Sequence, residues 1–438
     1  MSYGLLGEKL GHSYSKIIHE DFYKIQNLNY LYELIEIKKE NLKEIEKKIR
    51  SKQLSGVNIT IPYKTEFIKY LDIISENAKA IGAVNTIYLK NGKLIGDNTD
   101  YYGFKMTLEY NNINCKDKNV YILGSGGSAR AILKCILDLG GKVFIVSRNK
   151  NKAEEKFKDS FKKINYLDYS QLKDIDKDDN ILINCTPIGM YPKVEDSPIE
   201  KEIIKNFKAV IDIIYNPETT KLLKYAKEKN IKYVNGLFML VAQAIKAEEF
   251  WGNIEENLFE IIEKIYFKLK LQLYKNNIVL IGMPGSGKTS FGKRISEKLN
   301  RKFVDLDEEI EKVKNMSISQ IFEKYGEKKF REIESEITQK FSKQKDLIIS
   351  TGGGIIKNNK NIEALKENGI IIFIDRSLEN LINDIDVKHR PLLKNNVEHI
   401  KILYNERYSI YNKAADIIVK NNTNFNNVLE KILNNIVI

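Results

Sequence analysis

Short apolar runs alternate along this chain with longer stretches of mixed apolar and charged residues. The runs "GVNITI" (56–61), "NVYILG" (119–124), "KVFIVS" (142–147), "NILINC" (180–185), "AVIDII" (209–214), "NIVLIG" (277–282), "DLIIST" (346–351) and "IIIFID" (370–375) are rich in Val and Ile. They predict β-strands. The stretches between them, such as "KKENLKEIEKKIR", alternate lysine with glutamate and predict helices with solvated faces. Strand and helix in alternation predict an α/β protein built from βαβ units with largely parallel sheets. There is no internal repeat and no low-complexity tract.

At 438 residues the chain exceeds one ordinary core. Two boundaries suggest themselves. One lies near 100–118, before a fresh strand and a glycine loop. The other lies near 266–277, where a helical stretch ends in "LKLQLYKNN" before a further strand and loop. The expected units are therefore 1–100, 101–236 and 277–438. The helical segment 237–270 ("LFMLVAQAIKAEEFWG" and beyond) is expected to pack back on one of the first two.

Charge changes the picture little. Lys and Arg number 71 against 59 Asp and Glu, a formal charge of +12. A nucleic-acid partner would suit that excess, but no basic block is interleaved with aromatics. The lysines read as a solvated background plus sites for anionic small molecules. Cys115, Cys135 and Cys185 form no CxxC, and His12, His19, His389 and His399 form no zinc set. The N-terminus has no basic n-region followed by an apolar h-region, and no apolar run is long enough to span a bilayer. The expectation is a soluble cytoplasmic protein in a reducing compartment, with no nucleic-acid or membrane partner and an oligomeric state the sequence leaves open.

Candidate chemistry begins at "VYILGSGGSARAI": a strand, the loop Gly124-Ser125-Gly126-Gly127, then a helix through Ser128, Ala129 and Arg130. Glycines allow a tight turn and close approach to a pyrophosphate, and the helix N-terminus offers free N–H groups. The next strand ends in Ser147-Arg148-Asn149, with Lys152 following. An NAD site usually has a carboxylate there. A guanidinium suits a 2′-phosphate, so NADP is expected.

Residues 1–100 carry polar clusters instead of a cofactor motif. "GHSYSK" places Ser13 and Ser15 two apart, which in extended chain points both hydroxyls one way. "GVNITIPYK" gathers Asn58, Thr60 and Lys64; "GAVNTI" and "GDNTDYYG" add Asn85 and Asp100. Hydroxyls and amides suit a polyol, and a Lys–Asp pair suits proton transfer to a carbonyl oxygen under reduction.

In order, "GHSYS", "VNITIPYK", "GAVNTI", "GDNTD", "GSGGSAR", "SRN", "NCTPIGM", "DIIYNP" and "NGLFMLVAQA" resemble shikimate dehydrogenase over residues 1 to about 270. The resemblance implies a substrate domain followed by a Rossmann NADP domain. It assigns Ser13, Ser15, Asn58, Thr60, Asn85, Asp100, Tyr215 and Gln243 to the substrate, and Lys64 with Asp100 to catalysis. It assigns Gly124 to Arg130, Ser147 to Asn149, Lys152 and Gly236 to the cofactor. Where the family has proline, this chain has Lys16 and Glu8; neither change removes a proposed ligand.

A second glycine loop, "GMPGSGKTS", fits G-x-x-x-x-G-K-[ST] between a strand and a helix. Backbone N–H groups from Gly282 to Gly287 would wrap nucleotide phosphates, Lys288 would reach the β- and γ-phosphates, and Thr289 would ligate Mg²⁺. "FVDLDEE" places Asp305 and Asp307 so that both can face this loop from a strand end. "KKFREIESE" puts Arg331 and Glu334 on one helical face. "STGGGI" offers Gly352–Gly354, "DVKHRPLLKNN" a basic lid with Arg390, and "NERYSIYNKAAD" Arg407.

This series resembles shikimate kinase over about 277–438, a P-loop fold with a parallel sheet. The resemblance assigns Asp307, Arg331, Gly353, Gly354 and Arg407 to shikimate, and Asp305 with Thr289 to the metal. Gly285, Ser286, Gly287, Lys288, Thr289, Ser290 and Arg390 go to ATP, with Lys288 and Asp307 catalytic. One chain would then reduce 3-dehydroshikimate with NADPH and phosphorylate the resulting shikimate with ATP and Mg²⁺. The alternative is a quinate/shikimate dehydrogenase, with NAD in place of NADP, carrying a nucleotide-sensing P-loop module.

Overall fold

The computed structural model describes residues 1–11, 13–158, 160–176, 179–254, 257–274, 276–383 and 397–436. Two compact units emerge, Met1–Tyr266 and Phe267–Ile438.

The first unit holds two sheets. One comprises β1 (Ser2–Gly7), β2 (Leu31–Glu36), β3 (Gly56–Ile59), β4 (Ile73–Ile74), β5 (Thr86–Lys90) and β6 (Lys93–Asp97) in the order β2-β1-β3-β5-β6-β4. It is mixed: β5 runs antiparallel to both β3 and β6. Within the expectation of largely parallel sheets this antiparallel strand is the exception, and its cause is local. Asn91 and Gly92 both have positive φ, 53° and 76°, and close β5 onto β6 in a two-residue hairpin. An Asn-Gly pair takes that turn at little steric cost.

The second sheet comprises β7 (Asn119–Leu123), β8 (Lys142–Val146), β9 (Ile164–Leu167), β10 (Ile181–Asn184), β11 (Ala209–Asp212) and β12 (Lys232–Val234). All are parallel, in the order β12-β11-β10-β7-β8-β9. That is the doubly wound Rossmann order, whose switch point lies at the end of β7. Successive residues of β7 feed opposite cores: Val120 and Ile122 enter one apolar cluster, Tyr121 and Leu123 the other. Burial on both faces explains why these strands read as unbroken apolar runs.

The second unit holds β13 (Asn277–Ile281), β14 (Lys302–Asp305), β15 (Leu347–Ser350), β16 (Gly369–Asp375) and β17 (Ile417–Lys420). They form one parallel sheet in the order β14-β15-β13-β16-β17, with the glycine loop at the end of the central β13.

All eight predicted strands form, each trimmed or shifted by a residue or two at its ends. The segment 237–270 is not one helix: Leu237–Phe250 ends before a second helix, Leu258–Leu273. The expected boundary at residue 100 falls on the first residue of the helix Asp100–Tyr110, which packs along Leu237–Phe250. Gly103 permits the approach, since a Cβ there would lie 2.7 Å from the Met239 carbonyl oxygen.

Candidate functional site

In the first unit, β3, the start of β5 and the helix Asp100–Tyr110 bring together residues far apart in sequence. Lys64 Nζ donates to Asp100 Oδ2 at 2.5 Å, with both side chains largely buried. Asn85 Nδ2 donates to Asp100 Oδ1 at 2.9 Å and approaches Gln243 Oε1 at 3.4 Å. Thr99 donates to the same Gln243 oxygen at 3.2 Å. Asn58 is buried nearby, its Nδ2 donating to Thr86 Oγ1 at 3.1 Å. Thr60 follows β3, its backbone N–H bonded to the Leu6 carbonyl.

Ser13 Oγ donates to Ser15 Oγ at 3.1 Å, so the two hydroxyls do meet. They meet by a different geometry from the one expected: Ser15 opens the helix Ser15–Ile25, and the chain turns there instead of extending. Lys16, in that first turn, pairs with Glu20 at 3.7 Å. Tyr14 contacts the Tyr215 ring, with centroids 5.4 Å apart.

The loop after β7 turns at Gly124, φ 96°, in the left-handed region that favours glycine. A Cβ on Gly126 would meet nothing within 4 Å, and one on Gly127 would lie 3.6 Å from Lys64 Cδ. The loop is thus open for a diphosphate and adjacent to the Lys64–Asp100 pair. Asn149 caps the helix Lys150–Phe157 by accepting from the Lys152 N–H, and Ser147 Oγ accepts from the Asn149 N–H. Arg148 and Lys152 are exposed and make no ion pair among the described residues. That leaves two cations beside the loop for a 2′-phosphate.

Arg130 is differently engaged. It donates to the Lys156 and Ile81 carbonyls, and its guanidinium lies 5.2 Å from the Phe157 ring centroid. Lys156 was not anticipated: its ammonium donates to the Ser125 carbonyl in the loop itself, and burial with Arg130 and Lys152 nearby depresses its pKa. Its spacing four residues after Lys152 was the available signal. Gly236 leaves no room for a side chain, since a Cβ would sit 1.9 Å from the Ile213 carbonyl oxygen.

Asp212 also escaped sequence reasoning. Fully buried at the end of β11, it accepts from Asn184 Nδ2 (3.0 Å), the Ile214 N–H (3.1 Å) and Thr220 Oγ1 (2.7 Å). These bonds fasten both ends of the loop carrying Tyr215. Burial pushes the carboxyl up to about 7 despite the three donors. An unfolded aspartate titrates near pH 4 (about 3.9). The folded state therefore holds the proton more tightly between those values, and the associated stability is lost as pH rises toward 7. Relative to Asp212→Asn, the wild type should lose about 2 kcal/mol of unfolding free energy between about pH 5 and about pH 8. Denaturant titrations of both proteins check this, and a pH-independent difference would contradict it.

In the second unit, Gly282, Gly285 and Gly287 have φ of 152°, 84° and 90°, which shapes the loop and opens the helix Lys288–Leu299. Lys288 is buried and curls back to donate to the Gly282 and Met283 carbonyls, both at 3.0 Å. Asn421, just beyond β17, donates to the Ser286 carbonyl at 3.0 Å. Buried Ser286 Oγ has no hydrogen-bond partner among the described residues. Ser290 follows Thr289 in the first turn of the helix.

Thr289 Oγ1 donates to Asp305 Oδ2 at 2.8 Å. A hydroxyl and a carboxylate converging at the loop's end are hard oxygen donors that fit Mg²⁺. Asp307 was expected at a strand end with Asp305; instead β14 stops at Asp305, which caps the helix Leu306–Lys314 and accepts from the Asp307 N–H at 3.1 Å. Burial, then the neighbouring Asp305, pushes the Asp307 carboxyl up to about 6.

The glycine triplet brings the remaining groups in. A Cβ on Gly352 would lie 2.6 Å from Asp307 Oδ1, one on Gly353 2.7 Å from Pro284 Cδ, and one on Gly354 within 2.3 Å of Arg331 Nη2. Arg331 donates to buried Glu334 at 2.7 Å. Arg407 donates to the Gly353 carbonyl at 2.9 Å, while its Nε is buried with no partner among the described residues. Asp307, Arg331 and Arg407 therefore gather at the glycine triplet, which itself abuts the phosphate loop. Arg390 lies outside the described residues.

The shikimate dehydrogenase substrate-binding domain model matches residues 5–87. A Clostridium perfringens shikimate dehydrogenase (NADP(+)) is 46% identical over 265 residues, covering 59% of this chain and 97% of the relative. This chain belongs to the shikimate dehydrogenase family. Its second unit is a shikimate kinase domain, matched by the shikimate kinase model over residues 284–437.

Solved structures agree for the dehydrogenase portion. Shikimate dehydrogenase 1 from Peptoclostridium difficile is 41% identical, with a TM-score of 0.57 over 62% of this chain and 98% of that one. A chorismate mutase/shikimate 5-dehydrogenase fusion from Clostridium acetobutylicum is also 41% identical, with a TM-score of 0.59 and the same coverage. These likenesses do not favour the quinate and nucleotide-sensing alternative. Among the described residues, no helix is long and apolar enough to cross a membrane.

Proposed function

We propose that this bifunctional enzyme of aromatic amino acid (chorismate) biosynthesis catalyses two consecutive steps on one carbon skeleton. The dehydrogenase portion reduces 3-dehydroshikimate to shikimate; the kinase domain phosphorylates the hydroxyl so formed, giving shikimate 3-phosphate. NADPH, when bound, supplies the hydride, and ATP with Mg²⁺ supplies the phosphoryl group. The observation that carries the reading is that each unit sets a phosphate loop beside a buried acidic site: Gly127 beside Lys64–Asp100, and the P-loop beside Asp305 and Asp307.

In the first site the Lys64 ammonium is placed to give a proton to the carbonyl oxygen as charge develops there, with Asp100 holding it in position. Ser13, Ser15, Asn58, Thr60, Asn85, Tyr215 and Gln243 would hold the hydroxyls and carboxylate of the substrate. In the second, Asp307 orients the attacking hydroxyl and Lys288 steadies the phosphates. Arg331 and Arg407 bind the substrate carboxylate, Gly353 and Gly354 let it approach, and Asp305 with Thr289 holds the metal. We place the protein in the cytoplasm, a reading supported by three cysteines without a disulfide.

Separate assays test the two activities: 3-dehydroshikimate-dependent NADPH oxidation without ATP, and shikimate-dependent ADP release without NADPH. Failure of either removes that half of the proposal. Cofactor choice is tested by Arg148→Ala. Loss of a charged contact to the 2′-phosphate should raise KM for NADPH by about 10- to 100-fold while leaving NADH turnover nearly unchanged. An equal effect on both cofactors would mean that Arg148 does not read the 2′-phosphate.

A further inference from the structure

Tyr32 lies on the edge strand β2 and belongs to none of the motifs above. Its ring is 1% exposed and its hydroxyl donates to Asn58 Oδ1 at 2.8 Å. From there hydrogen bonds run in one direction. Asn58 Nδ2 donates to Thr86 Oγ1 (3.1 Å), Thr86 Oγ1 to Asn85 Oδ1 (3.2 Å), and Asn85 Nδ2 to Asp100 Oδ1 (2.9 Å). Lys64 donates to the other oxygen of Asp100.

We infer that Tyr32 is a positioning residue for the dehydrogenase reaction, fixing the amide of Asn58 at the head of a directed hydrogen-bond chain that ends on Asp100. The inference rests on the site assigned under Proposed function.

The two amides of the chain are held differently. Asn85 Oδ1 also accepts from the Thr99 backbone N–H at 2.7 Å, which sets its orientation without help from Tyr32. Among the described residues Asn58 has no such backbone donor. Its Nδ2 faces the Asn85 carbonyl at 3.4 Å and Thr86, and the Tyr32 hydroxyl is what engages its oxygen. Without that hydroxyl a buried amide oxygen would lack its donor, and the side chain could turn.

Tyr32 is itself held. The His19 ring stacks on it with centroids 3.9 Å apart and 7° between planes, and His19 is hydrogen-bonded to Glu248, both fully buried. Burial and the Glu248 charge push the phenol well above its ordinary pKa, so it stays a donor across the working range. His19 comes from the helix that starts at Ser15, and Glu248 from the helix bearing Gln243. The same clamp therefore ties two substrate-bearing helices to Tyr32.

The test is Tyr32→Phe, which deletes one oxygen and keeps the stacked ring, measured with Thr86→Val, Asn58→Ala and the double variant Tyr32→Phe/Asn58→Ala. Because Tyr32 touches Asn58 directly and Asp100 only through Asn58, Thr86 and Asn85, the loss should fall mainly on substrate binding. KM for shikimate should rise about tenfold, with kcat within about twofold and KM for NADP unchanged. Thr86→Val should show the same pattern, and in the Asn58→Ala background the effect of Tyr32→Phe should vanish.

Wild-type kinetics in Tyr32→Phe, or an undiminished effect in the Asn58→Ala background, would overturn the inference. If Tyr32→Phe does not fold, Thr86→Val decides, and wild-type kinetics there overturn it. Lys64→Ala is run alongside. Full activity in that variant would remove the site assignment itself, whereas its inactivity with a wild-type-like Tyr32→Phe would remove only the role of Tyr32.

Discussion

Lys64→Ala should lower 3-dehydroshikimate-dependent NADPH oxidation by about 10³-fold, chiefly in kcat. The ammonium is the cation paired with Asp100, and the side chain runs beside the cofactor loop, its Cδ 3.6 Å from where a Gly127 Cβ would be. Alanine removes the proposed proton donor and leaves Asp100 buried without the Lys64 cation. NADPH affinity should change little, because Arg148 and Lys152, the groups proposed for the 2′-phosphate, follow the end of β8. Shikimate phosphorylation should stay near wild type, since the kinase domain has its own sheet and core. NADPH oxidation and ADP release, measured on the same preparation, decide the matter. Loss of both activities would mean that the two units depend on each other.

Lys288→Met should produce the reverse pattern, with phosphorylation reduced by about 10²- to 10³-fold and NADPH oxidation intact. Lys288 is 8% exposed and bonded to the Gly282 and Met283 carbonyls, so its ammonium already lies in the fold of the phosphate loop. Methionine has nearly the same length and fills the space; what disappears is the charge. The effect should appear in kcat for shikimate phosphorylation more than in KM for shikimate, because Arg331 and Arg407, the residues proposed for the substrate carboxylate, bond to Glu334 and the Gly353 carbonyl and not to Lys288. Unchanged phosphorylation would remove the kinase assignment.

Sequence patterns carried the parallel parts of the fold well. β7, β8, β10, β11, β13 and β16 are central or near-central strands buried on both faces, and such strands announce themselves as apolar runs. β2, exposed along one face, and the short β4 carry no such run. The β5–β6 hairpin is encoded in "KNGK", where Asn-Gly between strands is a strong turn signal.

Legibility of the sites divides in the same way. Glycine loops are local, and their chemistry can be read from spacing. The contacts that complete them are not. Asn421 reaches Ser286 across 135 residues, Tyr32 reaches Asn58 across 26, and Asp212 binds Asn184 only because β10 and β11 are neighbours. The spacing of Ser13 and Ser15 suggests an extended chain, since two hydroxyls two residues apart share a face in a strand. The helix beginning at Ser15 brings them together by a turn instead.

The decisive experiment is a one-pot incubation of the full-length chain with 3-dehydroshikimate, NADPH, ATP and Mg²⁺, following NADPH absorbance and identifying products by mass. Consecutive activities predict NADPH loss and accumulation of shikimate 3-phosphate, dependent on both cosubstrates. NADPH loss with shikimate as the sole product, at any ATP concentration, would contradict the joint function and leave a dehydrogenase joined to a nucleotide-binding domain of another kind.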